Sequence, residues 1–209
     1  MAQPSRDRRL RKPLAELAAR DPDFAAALDL VGLPPERRQQ PGFPGLVRII
    51  VAQQLSIHAA RTITGRLEAA LDPFTPEILL ARPVEDLRGF GLSNAKVRYA
   101  QAIAQHVVDG HLDFDRLHAA DDDEAMTMLT AIKGVGPWTA EIYLLFALNR
   151  PDIMPAGDLA LAAALQRMKR MRKRPDPKKL RKMAESWRPY RSAAARFLWH
   201  YYAPAGIPA

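Results

Sequence analysis

One stretch, from Leu129 to Asp158, limits the folds open to this chain more than any other: LTAIKGVGPWTAEIYLLFALNRPDIMPAGD. Its pattern predicts a helix, a short glycine turn, a second helix opening at Pro137, a proline-broken loop, and an aspartate that begins a third helix. Gly134 and Gly136 allow a tight turn and close approach of a partner, and proline is favoured at a first helical position. Because backbone N–H groups at a helix start attract anions, the turn predicts a phosphate ligand.

Helix-start signals recur along the chain, with little between them that favours strands. Asp21-Pro22, Pro44, Thr75-Pro76, Ser93 and Asp121 each precede a segment with helical apolar spacing. After Asp158 the spacing predicts one aliphatic stripe, made of Leu159, Ala162, Ala163, Leu165, Gln166 and Met168. The short apolar run 47–52 is ambiguous, but its length favours helix. We therefore predict an all-α fold of about ten helices, with linkers at 34–40 and 172–178.

Composition excludes several classes of site. The chain has 209 residues, 48% of them hydrophobic, which is enough to fold one large domain or two small lobes, and it has no cysteine. Disulfides, cysteine nucleophiles, zinc-thiolate sites and iron–sulfur clusters are thereby excluded. Neither a signal peptide nor a membrane span is apparent, so we expect a cytoplasmic protein with no membrane partner, nucleoid-associated if bacterial.

Positive charge is concentrated near the C-terminus. From residue 165 onward there are 13 Lys and Arg against Asp176 and Glu185, a net of +11, although the whole chain carries only +8. Such a run is commonly a solvated face. Beside a predicted phosphate-binding turn, it favours a nucleic-acid partner.

Four motifs together resemble the helix-hairpin-helix DNA glycosylase superfamily, and within it the 3-methyladenine DNA glycosylase II group. They cover roughly residues 40 to 200 and read IKGVGPWTAEIYLL, MPAGDLAL, IIVAQQLSIHAARTI with FGLSNAKVRYAQAIA, and WRPYRSAAARFLW. The resemblance implies two helical lobes with a cleft between them and the hairpin, about residues 125–149, at the cleft mouth.

The same resemblance implies a domain organisation. Residues 1–40 would form a helical segment and linker, and 41–209 the glycosylase domain, with both chain ends contributing to the second lobe. The longer bacterial members carry an extra N-terminal α/β domain, for which the residues before the matching region are too few, so a minimal version is expected. We expect a monomer.

Asp158 matches the catalytic aspartate of the family. From its position alone it would be a helix N-cap, with its carboxylate accepting backbone N–H bonds. The two roles are compatible. N-glycosidic hydrolysis passes through an oxocarbenium-like sugar, which a nearby carboxylate stabilises while it orients or deprotonates water.

The resemblance also implies how a base would be held. Trp138 stands where bifunctional members carry a Schiff-base lysine, so a monofunctional enzyme without lyase activity is expected. Trp138 and Trp199 match pocket-lining positions, with Tyr143 and Tyr202 as weaker candidates. All four are also plausible core residues. Ile142 and Leu159 replace pocket tyrosines, which predicts a more aliphatic pocket.

Two further groups of residues would contact DNA. Gln53, Gln54, Leu55 and Ser56 lie at the turn that carries the wedge filling the gap of a flipped base, although Leu55 could instead belong to an apolar stripe and the glutamines to plain surface. The hairpin grip would come from Lys133, Gly134, Gly136 and Thr139. The hairpin of relatives often binds a monovalent cation through carbonyl oxygens, here those of Lys133 and Val135. No transition-metal site and no cofactor are expected.

These observations predict a monofunctional glycosylase of base excision repair that flips alkylated purines out of double-stranded DNA and hydrolyses their N-glycosidic bond. Two alternatives remain open. One is a helix-hairpin-helix protein that binds DNA without catalysis, and the other is a glycosylase for different lesions, such as hypoxanthine.

Overall fold

The computed structural model describes residues 6–37 and 39–202. Within these residues there are thirteen α-helices, two 3₁₀ turns and no β-strand. The prediction of an all-α fold is confirmed, with more helices than the sequence suggested. No helix of this part of the chain is long and apolar enough to cross a membrane.

The chain divides into two compact units. Of the described residues, 6–37 and 149–202 form one, the terminal unit, and 39–148 form the other, the central unit. The N-terminal segment therefore packs with the C-terminal third of the chain.

The terminal unit contains five α-helices: α1 (Arg11–Arg20), α2 (Pro22–Val31), α11 (Leu159–Met168), α12 (Pro177–Ala184) and α13 (Arg191–Tyr202). Its core is aromatic, because the Phe24 ring lies 4.6 Å from that of Phe197 and 6.1 Å from that of Trp187. Helix α13 packs against α1, α2 and α11. The helix that begins at Asp158 is thereby held on a buried scaffold.

The central unit contains the remaining helices: α3 (Phe43–Ala52), α4 (Ile57–Ala70), α5 (Pro76–Ala81), α6 (Val84–Gly89), α7 (Asn94–Val108), α8 (Phe114–Ala119), α9 (Asp122–Thr130) and α10 (Pro137–Phe146). Helix α3 is its centre and packs against α4, α7 and α10. Leu46, Val47 and Ile50 on α3 are completely buried. The run 47–52 is therefore a helix, as its length predicted.

Helix starts follow the local cap chemistry predicted from the sequence. The side chains of Asp21, Ser93, Asp121 and Asp158 each accept a backbone N–H bond at the first turn of α2, α7, α9 and α11. Gly32 ends α2 with a φ of 68°, a conformation that favours glycine.

Two local predictions were wrong in part. The proposed linker at 172–178 is too long, because Asp176 already caps α12 and the helix begins at Pro177. The proposed stripe on α11 is confirmed at Ala162, Leu165 and Met168, which are buried together with Leu161 and Ala164. It does not include Leu159, which is 69% exposed. Leu159 is the first residue of α11, where no preceding turn covers its side chain.

Candidate active site and nucleic-acid interface

The hairpin of α9 and α10 places its two glycines in different roles. Gly134 has a φ of 94°, and a Cβ at this position would lie 2.2 Å from Cγ of Tyr99. Gly136 has a φ of −82°, and a Cβ there would meet no atom within 4 Å. Gly134 is thus required by the turn itself, whereas the missing side chain of Gly136 leaves open space at the start of α10.

Helix α10 begins without a side-chain cap. Gly136 is its N-cap residue and Pro137 occupies its first turn, so the first N–H groups have no side-chain acceptor from the cap. Lys133 is exposed and Trp138 is half-buried. This exposed, uncapped helix start is the arrangement that the glycine turn predicted for a phosphate site.

The wedge turn, residues 53–56, joins α3 to α4. Gln54 is exposed and has a φ of 56°. Leu55 is 38% exposed, and the next apolar side chain, Ile57, is 65% exposed. Ser56 caps α4, because its Oγ accepts the N–H of Ala59. The predicted wedge side chains, Gln54 and Leu55, therefore lie at the surface of the central unit.

Gln53 and Thr139, both predicted to contact DNA, are hydrogen-bonded to each other. Gln53 Nε2 donates to Thr139 Oγ1 at 2.8 Å, and Thr139 is only 3% exposed. The pair connects the wedge turn to the first turn of α10.

Tyr143 lies in the core of the central unit. It is completely buried, and its hydroxyl oxygen accepts the backbone N–H of Gly42 at 2.7 Å. Burial raises the pKa of Tyr143 to about 12, because the phenolate would lose its hydration. These contacts favour the packing alternative that the sequence had left open for this residue. Ile142, also proposed for the pocket, is 6% exposed.

Asp158 lies at the N-terminus of α11 in the terminal unit. Its Oδ1 accepts the backbone N–H of Ala160 at 2.9 Å and that of Leu161 at 3.0 Å. The indole Nε1 of Trp199, on α13, donates to the same oxygen at 3.2 Å. Three donors from two helices thus fix the orientation of one half-buried carboxylate.

The loop that leads to Asp158 is fastened to the start of α13. Asp152 Oδ1 accepts from Arg191 Nε at 2.9 Å, and its Oδ2 accepts from Arg191 Nη2 at 3.1 Å and from Arg188 Nη1 at 2.7 Å. Ser192 Oγ accepts the N–H of Ile153 at 2.9 Å, and its own N–H donates to Pro151. The bidentate ion pair holds the loop in place.

Sequence reasoning did not find this role for Asp152. Arg188 and Arg191, the partners of Asp152, lie in the motif WRPYRS. This motif contributed to the family resemblance, but no function was assigned to it.

Comparisons with known proteins identify the family of this chain. A family model described as "HhH-GPD superfamily base excision DNA repair protein" matches residues 47–189, which include the hairpin, Asp152 and Asp158. The chain belongs to this superfamily.

Two HhH-GPD relatives match nearly the whole chain. DNA-3-methyladenine glycosylase 1 of Schizosaccharomyces pombe is 32% identical over 197 residues, which cover 91% of this chain and 86% of that protein. The alkylbase DNA glycosidase-like protein mag2 of the same yeast is 29% identical and covers 93% of this chain and 95% of its own length. The family resemblance seen in the motifs is confirmed.

Solved structures show the same HhH-GPD fold. The S. pombe glycosylase Mag1 in complex with abasic DNA matches with a TM-score of 0.83 at 31% identity, covering 90% of this chain and 95% of that one. A DNA-3-methyladenine glycosidase from Bacillus halodurans matches with a TM-score of 0.79 at 33% identity, covering 92% and 89%.

The basic C-terminal region of this HhH-GPD protein is only partly available to a partner. Lys169 pairs with Asp21 and Asp23, Arg188 and Arg191 pair with Asp152, and Arg196 lies 3.5 Å from Asp7. The basic side chains of residues 172–182 are instead exposed. The exposed positive surface is therefore α12 with the segment before it.

Two other predicted pocket residues are exposed. Leu159 projects into solvent beside Asp158, and Tyr202 is 44% exposed at the end of α13. The carbonyl groups of Lys133 and Val135 stay a prediction for a cation. Among residues 6–37 and 39–202, no three His, Asp or Glu side chains are grouped closely enough to bind a metal ion.

Proposed function

We propose that this protein is a monofunctional DNA glycosylase of base excision repair, which hydrolyses the N-glycosidic bond of alkylated purines of the 3-methyladenine and 7-methylguanine type. The observation that carries the proposal is Asp158, held at the start of α11 by two backbone N–H groups and by the indole of Trp199. Relatives that match over most of the chain are named DNA-3-methyladenine glycosylases, which supports the same chemistry.

The negative charge of Asp158 stabilises the positive charge that develops on the sugar. As the bond from C1′ to the base nitrogen breaks, positive charge develops on the deoxyribose, and a fixed carboxylate stabilises it without reorganising. The same carboxylate orients or deprotonates the water that attacks C1′. Because its orientation comes from α11 and α13, this charge does not depend on substrate for its placement.

A single carboxylate is sufficient for a cationic base. A purine alkylated at a ring nitrogen already carries positive charge and leaves as a neutral molecule, so it needs no separate acid to protonate it. Trp138 occupies the family position of the Schiff-base lysine, and indole cannot form an imine. We therefore expect hydrolysis without strand cleavage, and no covalent adduct on treatment with borohydride.

The partner in this proposal is double-stranded DNA containing an alkylated base. The uncapped start of α10 binds a phosphate, with Lys133 beside it, and the exposed basic surface of residues 172–182 adds sequence-independent attraction. Gln54 and Leu55 fill the gap left by the flipped base. The protein acts as a monomer inside the cell, where its substrate is.

Trp138, in the central unit, and Leu159, in the terminal unit, each stay a sequence-based prediction for contact with the base. Trp138 is half-buried, so part of its ring is accessible for stacking on an electron-poor base. Leu159, next to Asp158, offers an exposed aliphatic surface where relatives carry tyrosine. Less aromatic stacking weakens discrimination between cationic and neutral purines, so hypoxanthine belongs in the substrate panel.

The decisive experiment measures free bases released from methylated duplex DNA, separated by chromatography, for the wild type and Asp158→Asn. The amide oxygen of Asn keeps an acceptor for the N–H groups of α11, so folding and DNA binding should persist while base release is lost. Release by the wild type alone establishes the reaction and the catalytic group. Intact binding with no release from either protein, over a panel including hypoxanthine, would mean a DNA-binding protein without catalysis.

A further inference from the structure

A lysine outside the proposed site donates hydrogen bonds to the backbone at the start of the wedge turn. Lys96 Nζ, on α7, donates to the carbonyl oxygens of Val51 and Gln53 at 2.8 Å each. Val51 is in the last turn of α3, whose carbonyl groups have no partner within their own helix. The ammonium group therefore satisfies the end of α3 and the first residue of the wedge turn together, at the pole where a helix dipole favours positive charge.

The wedge turn needs such an anchor. Gln54 has a φ of 56°, in the left-handed region that costs a residue with a side chain roughly 1 kcal/mol or more. The backbone bonds within the turn are long, because Gln53 N to Ile50 O and Leu55 N to Ala52 O both measure 3.3 Å. Without external support, the exposed Gln54 and Leu55 would sample other conformations.

Burial of Lys96 shows that its ammonium is committed to this contact. The side chain is half-buried, and burial lowers its pKa because the charged form loses water. The two carbonyl oxygens replace part of that water. A flexible lysine on a solvated face would not show this arrangement.

The same region of α7 also supports the hairpin. Tyr99, one turn after Lys96, packs directly on Gly134. Gln53, whose carbonyl accepts from Lys96, donates through its side chain to Thr139. The wedge turn and the hairpin are thereby built on one common support within the central unit.

We propose that Lys96 is a positioning residue for base flipping, which holds the wedge turn in its insertion-ready conformation before DNA arrives. The inference rests on the proposed glycosylase function and deepens it. Lys96 does not touch the base or the sugar. Lys96 affects the rate of base release through the placement of Gln54 and Leu55. The effect should therefore be seen only when those side chains can fill the gap in the duplex.

A double-mutant cycle tests this dependence. Base release from methylated duplex DNA is measured under single-turnover conditions for the wild type, Lys96→Met, the wedge-deficient pair Gln54→Ala/Leu55→Ala, and their combination. We expect Lys96→Met to slow release about tenfold, because two hydrogen bonds from a charged donor are removed. In the wedge-deficient background the same change should have no further effect. If the rate reduction of the combined variant equalled the product of the reductions caused by Lys96→Met and by the wedge-deficient pair, the proposal would be overturned.

Two control variants separate positioning from charge and folding. Arg98→Met removes one positive charge from an exposed site on the same helix and should leave the rate unchanged. Lys96→Arg retains charge and donors and should recover part of the rate. If both Lys96 variants lost thermal stability and activity in parallel, the role would be structural and the proposal would fail.

Amide hydrogen exchange provides a readout independent of activity. In Lys96→Met, exchange in peptides covering residues 53–56 should quicken about tenfold, while peptides covering α13, in the terminal unit, stay unchanged. Unchanged exchange in the turn would refute the anchoring role. If the wild type released no base, the glycosylase proposal would fall by itself, and the exchange result would still decide whether Lys96 holds the turn.

Discussion

The indole Nε1 of Trp199 lies 3.2 Å from Oδ1 of Asp158 and donates to the oxygen that also caps α11. The two residues are 41 positions apart in sequence, one at the start of a helix and the other in the body of a second helix. Trp199, for which the sequence left a pocket role and a core role open, therefore orients the carboxylate that would perform the hydrolysis.

Replacing Trp199 with Phe should separate these functions, because phenylalanine keeps an aromatic face but has no donor. We expect single-turnover base release to fall about tenfold, as one hydrogen bond to a charged group is removed. Trp187→Phe is the matched control, since Trp187 is a buried core residue packed on Phe24. It should lower the melting temperature while the folded protein keeps its rate. Equal rates for both variants would argue against orientation by Trp199.

Asp158→Ala should have two distinguishable effects, on stability and on chemistry. Loss of an N-cap carboxylate costs about 1 kcal/mol of unfolding free energy, measurable by urea titration. Asp113 caps α8 in the same way, by accepting the N–H groups of Asp115 and Arg116. Asp113→Ala should lose similar stability yet retain base release. If both variants stayed equally active, Asp158 would be a cap and nothing more.

Local chemistry explains which features the sequence predicted. The caps at Asp21, Ser93, Asp121 and Asp158 depend on groups within three residues, so each could be inferred directly from neighbouring residues. The family motifs then assigned chemistry to Asp158, which a cap signal alone could not do.

Long-range pairing explains what the sequence did not predict. The hydrogen bond of Gln53 to Thr139 was not predicted, because the two residues are 86 positions apart. Lys96 gave no signal, because its two acceptors are backbone carbonyls that no side-chain pattern reveals. Leu159 fitted an apolar stripe, although no preceding turn covers the first position of a helix.

Alanine at the two hairpin glycines should give opposite results. Gly134→Ala forces a side chain into a φ of 94° and against the Tyr99 ring, so unfolding free energy should fall by more than roughly 2 kcal/mol. Gly136→Ala enters open space with an ordinary φ and should change stability by less than roughly 0.5 kcal/mol. Its added methyl group should instead weaken binding to duplex DNA. Urea titration of both variants measures the change in unfolding free energy, and titration with labelled duplex measures the change in DNA affinity. Undiminished DNA binding by Gly136→Ala would contradict the close approach of a phosphate to this residue.

The contact of Lys169 with Asp21 and Asp23 should make stability depend on pH. Lys169 Nζ lies 2.6 Å from Asp21 Oδ1 and 3.0 Å from Asp23 Oδ2. Burial opposes charge on both Asp21 and Lys169. Hydrogen bonding and attraction outweigh it, so the pKa of Asp21 is lowered and that of Lys169 is raised. Stabilisation from the aspartate is present above its unfolded pKa and disappears as pH falls through the folded pKa. Stabilisation from Lys169 is present below the unfolded pKa of the lysine and disappears as pH rises through its folded pKa.

Lys169→Met should therefore destabilise the protein most near neutral pH, by about 2 kcal/mol, with the difference from wild type shrinking below roughly pH 4. Urea titrations at several pH values provide the measurement. Lys12→Met, at an exposed position of α1, is the control and should show no such pH dependence. A constant difference across the pH range would show that the ion pair is not its source.

The exposed basic helix α12 should contribute to DNA affinity through charge alone. Lys178 and Lys179 are exposed, and removal of one lysine–phosphate interaction makes the slope of log K against log salt shallower by about 0.9. The variant Lys178→Glu/Lys179→Glu should therefore bind undamaged duplex more weakly, with a slope about 2 units shallower.

The control variant Arg11→Glu/Lys12→Glu makes the same charge change at exposed positions of α1, far in sequence from residues 172–182. Only the α12 variant should show the shallower slope, because binding to phosphate releases counterions whereas a change in net charge at a distance is screened by salt. Equal slopes for the two variants would mean that DNA responds to total charge and that α12 is a solvated face.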